Sequence, residues 1–315
     1  MDIMDFESEE EYIAQMYEGK LLNPRIDSTF KALFTQPTPE SQTALKAFLE
    51  AATNRKITTV ELQPSSAKID FFGQRGIDFD ILCKFDDGEQ ANIEMQAFKQ
   101  HYDYGKRAEY YVAKIFASAM KKGDSWQKTT KAYQISVLDF VNDATSNEIV
   151  SRYAMRTKEG RELKSMQNII FIELPKVREK ENCVSSNTSL ENWAIFLKDV
   201  DNPQKAELIN TLTSKEAGLM QAQQSLSSIS ENRELWLTQL RQEIAERDYI
   251  SNYIGIREEG LAEGRAEGRA EGLVKGRAEG EAQRAIRLGK KYMAAGHTAE
   301  EAAEFAEIDI KFLQE

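Results

Sequence analysis

Two acidic side chains on neighbouring predicted strands could perform metal chemistry. Asp80 and Glu94 lie within residues 76–96, GIDFDILCKFDDGEQANIEMQ, where side-chain character alternates at period two as expected for strands. The run Asp-Asp-Gly at residues 86–88 predicts a three-residue hairpin loop, with its glycine in the left-handed position. Counting back from this loop along both strands places Asp80 directly opposite Glu94, whereas a two-residue loop would place them on opposite faces.

A carboxylate pair at this spacing predicts a divalent metal site. Side chains at directly paired positions have Cβ atoms about 5 Å apart, so two carboxylates there repel each other. Mg²⁺ and Mn²⁺ prefer carboxylate oxygens, with water completing the shell, and either cation would remove the repulsion. Gln96 shares the face of Glu94, and its amide could orient a water for hydrolysis. The alternative is that Asp80 and Glu94 are surface charges on the wet face of a sheet.

Other catalytic chemistries find little support. The two cysteines, Cys83 and Cys183, form no Cys-x-x-Cys motif, which argues against a zinc site and against a disulfide framework. The two histidines, His101 and His297, stand alone, without a Ser-His-Asp or Cys-His arrangement. The chain contains no Walker loop and no GxGxxG sequence.

The distribution of charge gives a mixed indication about nucleic acid. A formal net charge of −11 is unusual for a DNA-binding protein. Residues 99–131, however, contain eight basic and three acidic side chains, a local excess of five positive charges. Such a segment could neutralise phosphates, although a solvated helix face would have the same composition. The basic residues considered as phosphate contacts are Lys99, Lys106, Arg107 and Lys114.

The elements that must position these residues predict an α/β domain. Strands, then a helix, then further strands indicate a mixed sheet with packed helices. The predicted elements are strands within residues 57–96, a helix over 102–121, strands over 132–140 and 168–174, and a helix over 190–197. Beyond Pro203 the composition is helical, with a polar patch at 221–230 that predicts a loop or hinge.

The C-terminal part contains a four-residue repeat. Six glycines recur within EEGLAEGRAEGRAEGLVKGRAEGEA, at Gly260, Gly264, Gly268, Gly272, Gly276 and Gly280. On a helix they form a slowly drifting stripe without Cβ atoms, at a cost of about 1 kcal/mol each relative to alanine. This predicts a helix that pairs with its copy in a second subunit, a partly disordered linker being the alternative. Residues 284–315 predict a helical hairpin, with Thr298 and Glu301 forming a capping box.

Several motifs in order resemble one known family. The sequence is similar to the recombination-promoting nuclease and transposase family of the PD-(D/E)XK nuclease superfamily. The similar segments are LLNPRIDSTFKALF at 21–34, the Asp-x13-Glu-x-Gln pattern at Asp80, Glu94 and Gln96, KRAEYYVAKIF at 106–116, FIELPK at 171–176, and the Glu-Gly repeat.

The resemblance implies a restriction-endonuclease-like mixed sheet flanked by helices, followed by an all-α C-terminal tail. It implies Mg²⁺-dependent cleavage of DNA, with Mn²⁺ as a possible substitute, and makes Asp80 and Glu94 metal ligands. Gln96 would stand where the wider superfamily usually has lysine, so the site lacks that positive charge. Asp27 matches an early acidic position near the metal, although it could simply begin a helix. Lys106 and Arg107 could contact phosphate, while Tyr110 and Tyr111 are expected in the core.

The predicted organisation is an acidic arm at residues 1–20, a nuclease-like domain at 21–200, a helical connector at 201–256 and a self-association tail at 257–315. The absence of a long apolar run and the acidic N-terminus predict a cytoplasmic protein without a membrane partner. Its expected partners are DNA and further copies of itself. The competing hypothesis is a catalytically inactive protein that binds DNA and oligomerises on a nuclease fold; a coiled-coil scaffold would explain only the tail.

Overall fold

The computed structural model describes residues 17–65, 76–100, 102–163, 166–181 and 184–313. Most of the predicted acidic arm, as well as His101 and Cys183, lies outside these residues. The helices are α1 Asp27–Thr35, α2 Pro39–Thr53, α3 Tyr104–Ser118, α4 Ser189–Asp199, α5 Ala206–Lys215, α6 Ala217–Ser230, α7 Arg233–Ala294 and α8 Ala299–Phe305. The strands are β1 Val60–Gln63, β2 Ile81–Phe85, β3 Gln90–Gln96, β4 Ala132–Leu138, β5 Val150–Ala154 and β6 Gln167–Glu173.

Within the described residues, six strands form one mixed sheet in the order β1-β2-β3-β4-β6-β5. The pairs β1/β2, β2/β3 and β5/β6 are antiparallel, whereas β3/β4 and β4/β6 are parallel. Helix α3 makes the crossover that a parallel β3/β4 pair requires. The predicted α/β class, a mixed sheet flanked by helices with a helical C-terminal segment, is confirmed.

Helices cover both faces of the sheet. On one face, Phe30 of α1, Phe48 of α2 and Trp193 of α4 belong to the same buried cluster as Ile93 and Ile135 of the central strands. The opposite face is covered by α3, which contributes two smaller clusters. A polar side chain on the α3 face of β3 or β4 is therefore removed from water, and this location determines the character of the site described below.

The faces of residues 76–85 differ from a simple alternation. Strict period two would place Ile77 and Phe79 beside Ile81 on one face. Instead, Ile77 and Phe79 pack in the cluster with α3, whereas Ile81 packs in the main core on the other side. The chain bends at Asp80, immediately before β2, so the predicted face was wrong for the two residues before the bend although both are buried.

Two other expectations were wrong or incomplete. Residues 221–230 are not a loop, because they belong to α6, whose buried face includes Ala222, Leu226 and Ile229. Serine and glutamine occupy the remaining helix surface. Because of this polar composition, the helical spacing of the apolar residues was not recognised in the sequence. Strand β5 was not predicted, because its alternation is weak and it lies at an edge of the sheet.

The described chain divides into two compact units, residues 17–243 and 244–313, and α7 contributes to both. The predicted boundaries at residues 20, 200 and 256 stay predictions. In the second unit, α7 carries the six repeat glycines in continuous helix, and the capping box of Thr298 with Glu301 begins α8 as predicted. No helix within the described ranges is both long and apolar enough to cross a bilayer.

Candidate active site

The hairpin of β2 and β3 has the predicted register. Ile81 pairs with Ile93, and the loop closes with the Phe85 amide donating to the Glu89 carbonyl at 2.8 Å. Gly88 takes the left-handed conformation, with φ of +84°. Continuing this register by one residue places Asp80 opposite Glu94. The Met95 amide donates to Asp80 Oδ2 at 3.3 Å, which holds the Asp80 carboxylate against the end of β3.

Glu94 lies in a buried polar pocket beneath α3. Only 1% of its side chain is exposed, so the wet-face alternative was wrong for this residue. Tyr104 of α3 donates its hydroxyl to Glu94 Oε2 at 3.0 Å, and Asn92 donates its amide to Oε1 at 3.2 Å. Burial raises the pKa of the Glu94 carboxyl to about 7, although the nearby Arg107 guanidinium opposes the shift. A cation that approaches the Glu94 carboxyl group stabilises its charged form.

Asp80 is joined to α1 through a lysine. The Lys31 ammonium lies 3.1 Å from Asp80 Oδ1 and 2.9 Å from Asp27 Oδ2. Burial raises the pKa of Asp80, and the negative charge of Asp27 adds to the shift. Asp27 is the first residue of α1 and makes no capping hydrogen bond in this helix, whose N-cap is Ile26. Asp27 therefore begins a helix, as the alternative to a role near the metal predicted. It also lies close to Asp80, because Lys31 contacts both carboxylates.

Gln96 and Arg107 complete the same face. Arg107 Nη1 donates to Gln96 Oε1 at 3.0 Å, and Nη2 lies 3.6 Å from Glu94 Oε2. The guanidinium also stacks on Tyr111, with 4.9 Å to the ring centroid. Arg107 therefore points into the carboxylate site, and one cation lies against each of the two opposed acids: Lys31 against Asp80 and Arg107 against Glu94.

A buried polar ladder supports Glu94 from the neighbouring strand. Asn92 donates to Gln134 Oε1 at 2.9 Å, and Gln134 donates to Ser136 Oγ at 3.1 Å. The Tyr104 hydroxyl lies 3.2 Å from the same serine oxygen. Sequence reasoning did not identify Lys31, Tyr104 or this ladder. The available signal was in β4, where Gln134 and Ser136 interrupt the apolar run AYQISVL at period two.

The four basic residues considered as phosphate contacts occupy different environments. Lys106 is exposed on α3, and Lys99 donates its ammonium to the Val141 carbonyl at 3.2 Å. Lys114 is only 8% exposed, so little of its charge reaches solvent. Tyr110 is 38% exposed, so its expected core position was wrong, whereas Tyr111 is half-buried beside Arg107.

The acidic residues fit a metal site that water and substrate complete. In the described ranges, no group of three or more histidine, cysteine or acidic side chains is arranged to hold a metal. Mg²⁺ commonly uses one or two carboxylates together with waters and phosphate oxygens. Asp80 and Glu94 provide carboxylate oxygens of the kind that such a site uses. In this structure, Lys31 lies against Asp80 and Arg107 lies against Glu94.

A mixed sheet with the buried Glu94 on β3 and the partly buried Asp80 directly before β2 defines an α/β protein with a candidate hydrolytic centre. Residues 24–254 match the family model described as PD-(D/E)XK nuclease family transposase. This match spans well over half of the chain, and the protein belongs to that family. No match was found among curated proteins or among solved structures.

Proposed function

We propose that this protein is a metal-dependent DNA endonuclease that hydrolyses phosphodiester bonds. The observation that carries the proposal is the placement of Asp80, directly before β2, one residue beyond the paired Ile81 and Ile93 and therefore opposite Glu94 of β3. Glu94 is buried, 17% of the Asp80 side chain is exposed, and each carboxylate lies against a cation. Membership of a nuclease family supports the same reaction class. Adjacent buried carboxylates destabilise a sheet unless a cation joins them.

Asp80 and Glu94 are the proposed ligands of Mg²⁺, for which Mn²⁺ would substitute. When bound, the cation would activate a water and stabilise negative charge on the phosphate. Hydrolysis joins the water oxygen to phosphorus and breaks one phosphorus–oxygen ester bond, with the water protons shared between the new phosphate and the released hydroxyl group. The Gln96 amide is placed to orient the attacking water, and Asp27 lies close enough to Asp80 to tune its charge.

Lys99, Lys106 and Arg107 are the proposed contacts to DNA phosphates. Lys106 presents its charge at the surface of α3, and Arg107 would move from Glu94 and Gln96 to a phosphate once the acids are neutralised. Lys114 contributes less, because it is largely buried. The competing function is DNA binding without cleavage, which the uncharged Gln96 and the net charge of −11 favour.

Nicking of supercoiled plasmid separates the two functions. Wild-type protein is incubated with plasmid at low salt in Mg²⁺, in Mn²⁺ and in EDTA, and binding to the same DNA is followed by gel shift. Cutting in either metal and not in EDTA supports the endonuclease. Binding without cutting in all three conditions supports the inactive alternative and overturns the proposed activity.

Replacement of Tyr104 by phenylalanine should lower this activity by about tenfold to a hundredfold, the usual effect of removing a hydrogen bond to a metal ligand. The variant removes the hydroxyl that orients Glu94 and leaves the buried ring in place. The measurement is the initial rate of plasmid nicking at saturating Mg²⁺. Tyr110→Phe, on the exposed side of α3, is the matched control, and equal rates for both variants would contradict the positioning role.

We also propose that the C-terminal helices join copies of the chain. The described α7 keeps the six repeat glycines, Gly260 to Gly280, in continuous helix, and a Cβ added at any of these six would meet nothing within 4 Å. A surface helix gains nothing from these glycines unless another backbone approaches the stripe. The tail at residues 257–315 is therefore the proposed self-association element. A dimer would supply two active sites, one for each DNA strand.

Replacement of Gly264, Gly268 and Gly272 by alanine tests this assembly in the full chain. Helix propensity should rise by about 1 kcal/mol per site, while the added methyl groups separate the partners. We therefore expect higher helix content by circular dichroism together with a smaller oligomer in sedimentation velocity. The control replaces Ala262, Ala266 and Ala270 by serine on the opposite side of the helix. An unchanged oligomer in the alanine variant would contradict a glycine-lined interface.

A further inference from the structure

Gln96 leaves the candidate active site without a cation of its own on β3. Its side chain accepts a hydrogen bond from Arg107 and carries no charge. A phosphate that gains negative charge during hydrolysis is stabilised best by a preorganised donor or cation within the site. A lysine of α1, rather than a residue of the sheet, lies in position to supply this charge.

Lys31 is fixed at the open edge of the acidic pair. Its ammonium lies 3.1 Å from Asp80 Oδ1 and 2.9 Å from Asp27 Oδ2, while 37% of its side chain remains exposed. The lysine thus contacts Asp27 and Asp80 from a position that solvent, and therefore a substrate, can reach. Arg107 approaches the site from the other side, where it lies against Glu94 and Gln96 beneath α3.

The helix that carries Lys31 is held firmly. Phe30, Leu33 and Phe34 of α1 are buried in the main core, with at most 1% of each residue exposed. Ser28 donates its hydroxyl to Gln242 at 3.0 Å, which adds a polar contact within the first unit. The anchoring limits Lys31 to rotation about its own side-chain bonds, so its ammonium stays within reach of Asp80 and of any group bound there.

We propose that Lys31 is a catalytic residue that supplies positive charge to the scissile phosphate, in place of a lysine on β3. This role rests on the proposed endonuclease function. Without metal, the Lys31 ammonium is paired with Asp27 and Asp80. A divalent cation at Asp80 would compete for the same carboxylate and leave the ammonium free to contact phosphate. Lys31 therefore weakens metal binding and strengthens catalysis, two opposite effects that a purely structural ion pair does not produce.

The test compares wild type, Lys31→Met, Lys31→Arg and Lys84→Met. Lys84 is an exposed lysine of β2, which makes it the matched control for loss of one charge. Mn²⁺ binding is measured by titration calorimetry without DNA. Plasmid nicking is then measured with metal and DNA both saturating, and thermal unfolding verifies the fold of each variant.

Lys31→Met should bind Mn²⁺ about two- to fivefold more tightly, the size expected for loss of a partly exposed ion pair. At saturation it should nick DNA at least about tenfold more slowly than wild type. Lys31→Arg should recover most of the rate, and Lys84→Met should match wild type in both assays.

Three results would overturn the role of Lys31. Wild-type rates for Lys31→Met at saturation would remove it from catalysis. Weaker Mn²⁺ binding together with a rate restored by excess metal would make Lys31 an organiser of the ligands only. Absence of cutting by wild-type protein, with Mn²⁺ binding retained, would end the proposed endonuclease function and the role of Lys31 with it, whereas the first two results end the role of Lys31 alone.

Discussion

Asp80→Asn and Glu94→Gln should each reduce Mg²⁺-dependent nicking of plasmid by at least about a hundredfold. Changes around a metal ligand cost about ten- to a hundredfold, and loss of the ligand's own charge should cost no less. Both changes keep the size of the side chain, so the buried polar surroundings persist. In Glu94→Gln, the Asn92 amide still finds a carbonyl oxygen, and the Tyr104 hydroxyl can donate to Ser136 instead.

The effect of Glu94→Gln on stability, which is the control for correct folding, has an expected direction. The pKa of Glu94 is raised from 4.5 to about 7 in the folded protein, chiefly by burial. The folded state then binds the proton more tightly than the unfolded state, so this group's contribution to stability falls as pH rises from about 4.5 to 7. Because glutamine does not titrate, the Glu94→Gln variant does not lose this stability as pH rises. In EDTA at pH 8, Glu94→Gln should therefore unfold at a temperature no lower than wild type.

Glu61→Gln is the matched charge control, because Glu61 is an exposed acid on the neighbouring strand β1. It should nick plasmid at the wild-type rate. Full activity in either Asp80→Asn or Glu94→Gln would remove the hairpin from the proposed catalytic site. Loss of activity accompanied by a much lower unfolding temperature in EDTA would instead assign the effect to folding.

Gly218→Ala should destabilise the first unit by about 1–3 kcal/mol, the range for overpacking a tight core. A Cβ at Gly218 of α6 would lie 2.3 Å from Cβ of Ala47 in α2 and 3.5 Å from Cζ2 of the buried Trp193. Both Cβ atoms are fixed by helix backbone, so neither side chain can rotate away. The helices must separate, and this outweighs the gain of up to about 1 kcal/mol in helix propensity.

Urea unfolding followed by circular dichroism measures this loss. The double variant Ala47→Gly/Gly218→Ala moves the methyl group to the other helix and should recover a large part of the stability, which a double-mutant cycle quantifies. Gly264→Ala is the contrasting control, since its Cβ would meet nothing within 4 Å. If Gly218→Ala were as stable as wild type, α2 and α6 could not pack as closely as described.

Local sequence determined much of the candidate site. The three-residue loop and period-two alternation predicted the hairpin register, and the register is confirmed from Ile81 opposite Ile93 to the loop. Asp80 and Glu94 stand one residue beyond this confirmed pair. The helix over α3 and the capping box of Thr298 with Glu301 were likewise predicted, because both depend on residues within a turn or two of each other. Short-range geometry of this kind is encoded in neighbouring residues.

The tertiary structure alone decided the environment of the acidic pair. Nothing near Glu94 in sequence indicates that α3 covers it, removes it from water and raises its pKa toward 7. The contact of Lys31 with Asp80 joins residues far apart in the chain, and it depends on how α1 packs against the sheet. Which distant side chains meet is determined by the packing of whole elements, whereas periodicity and loop length specify only the face and register of each element.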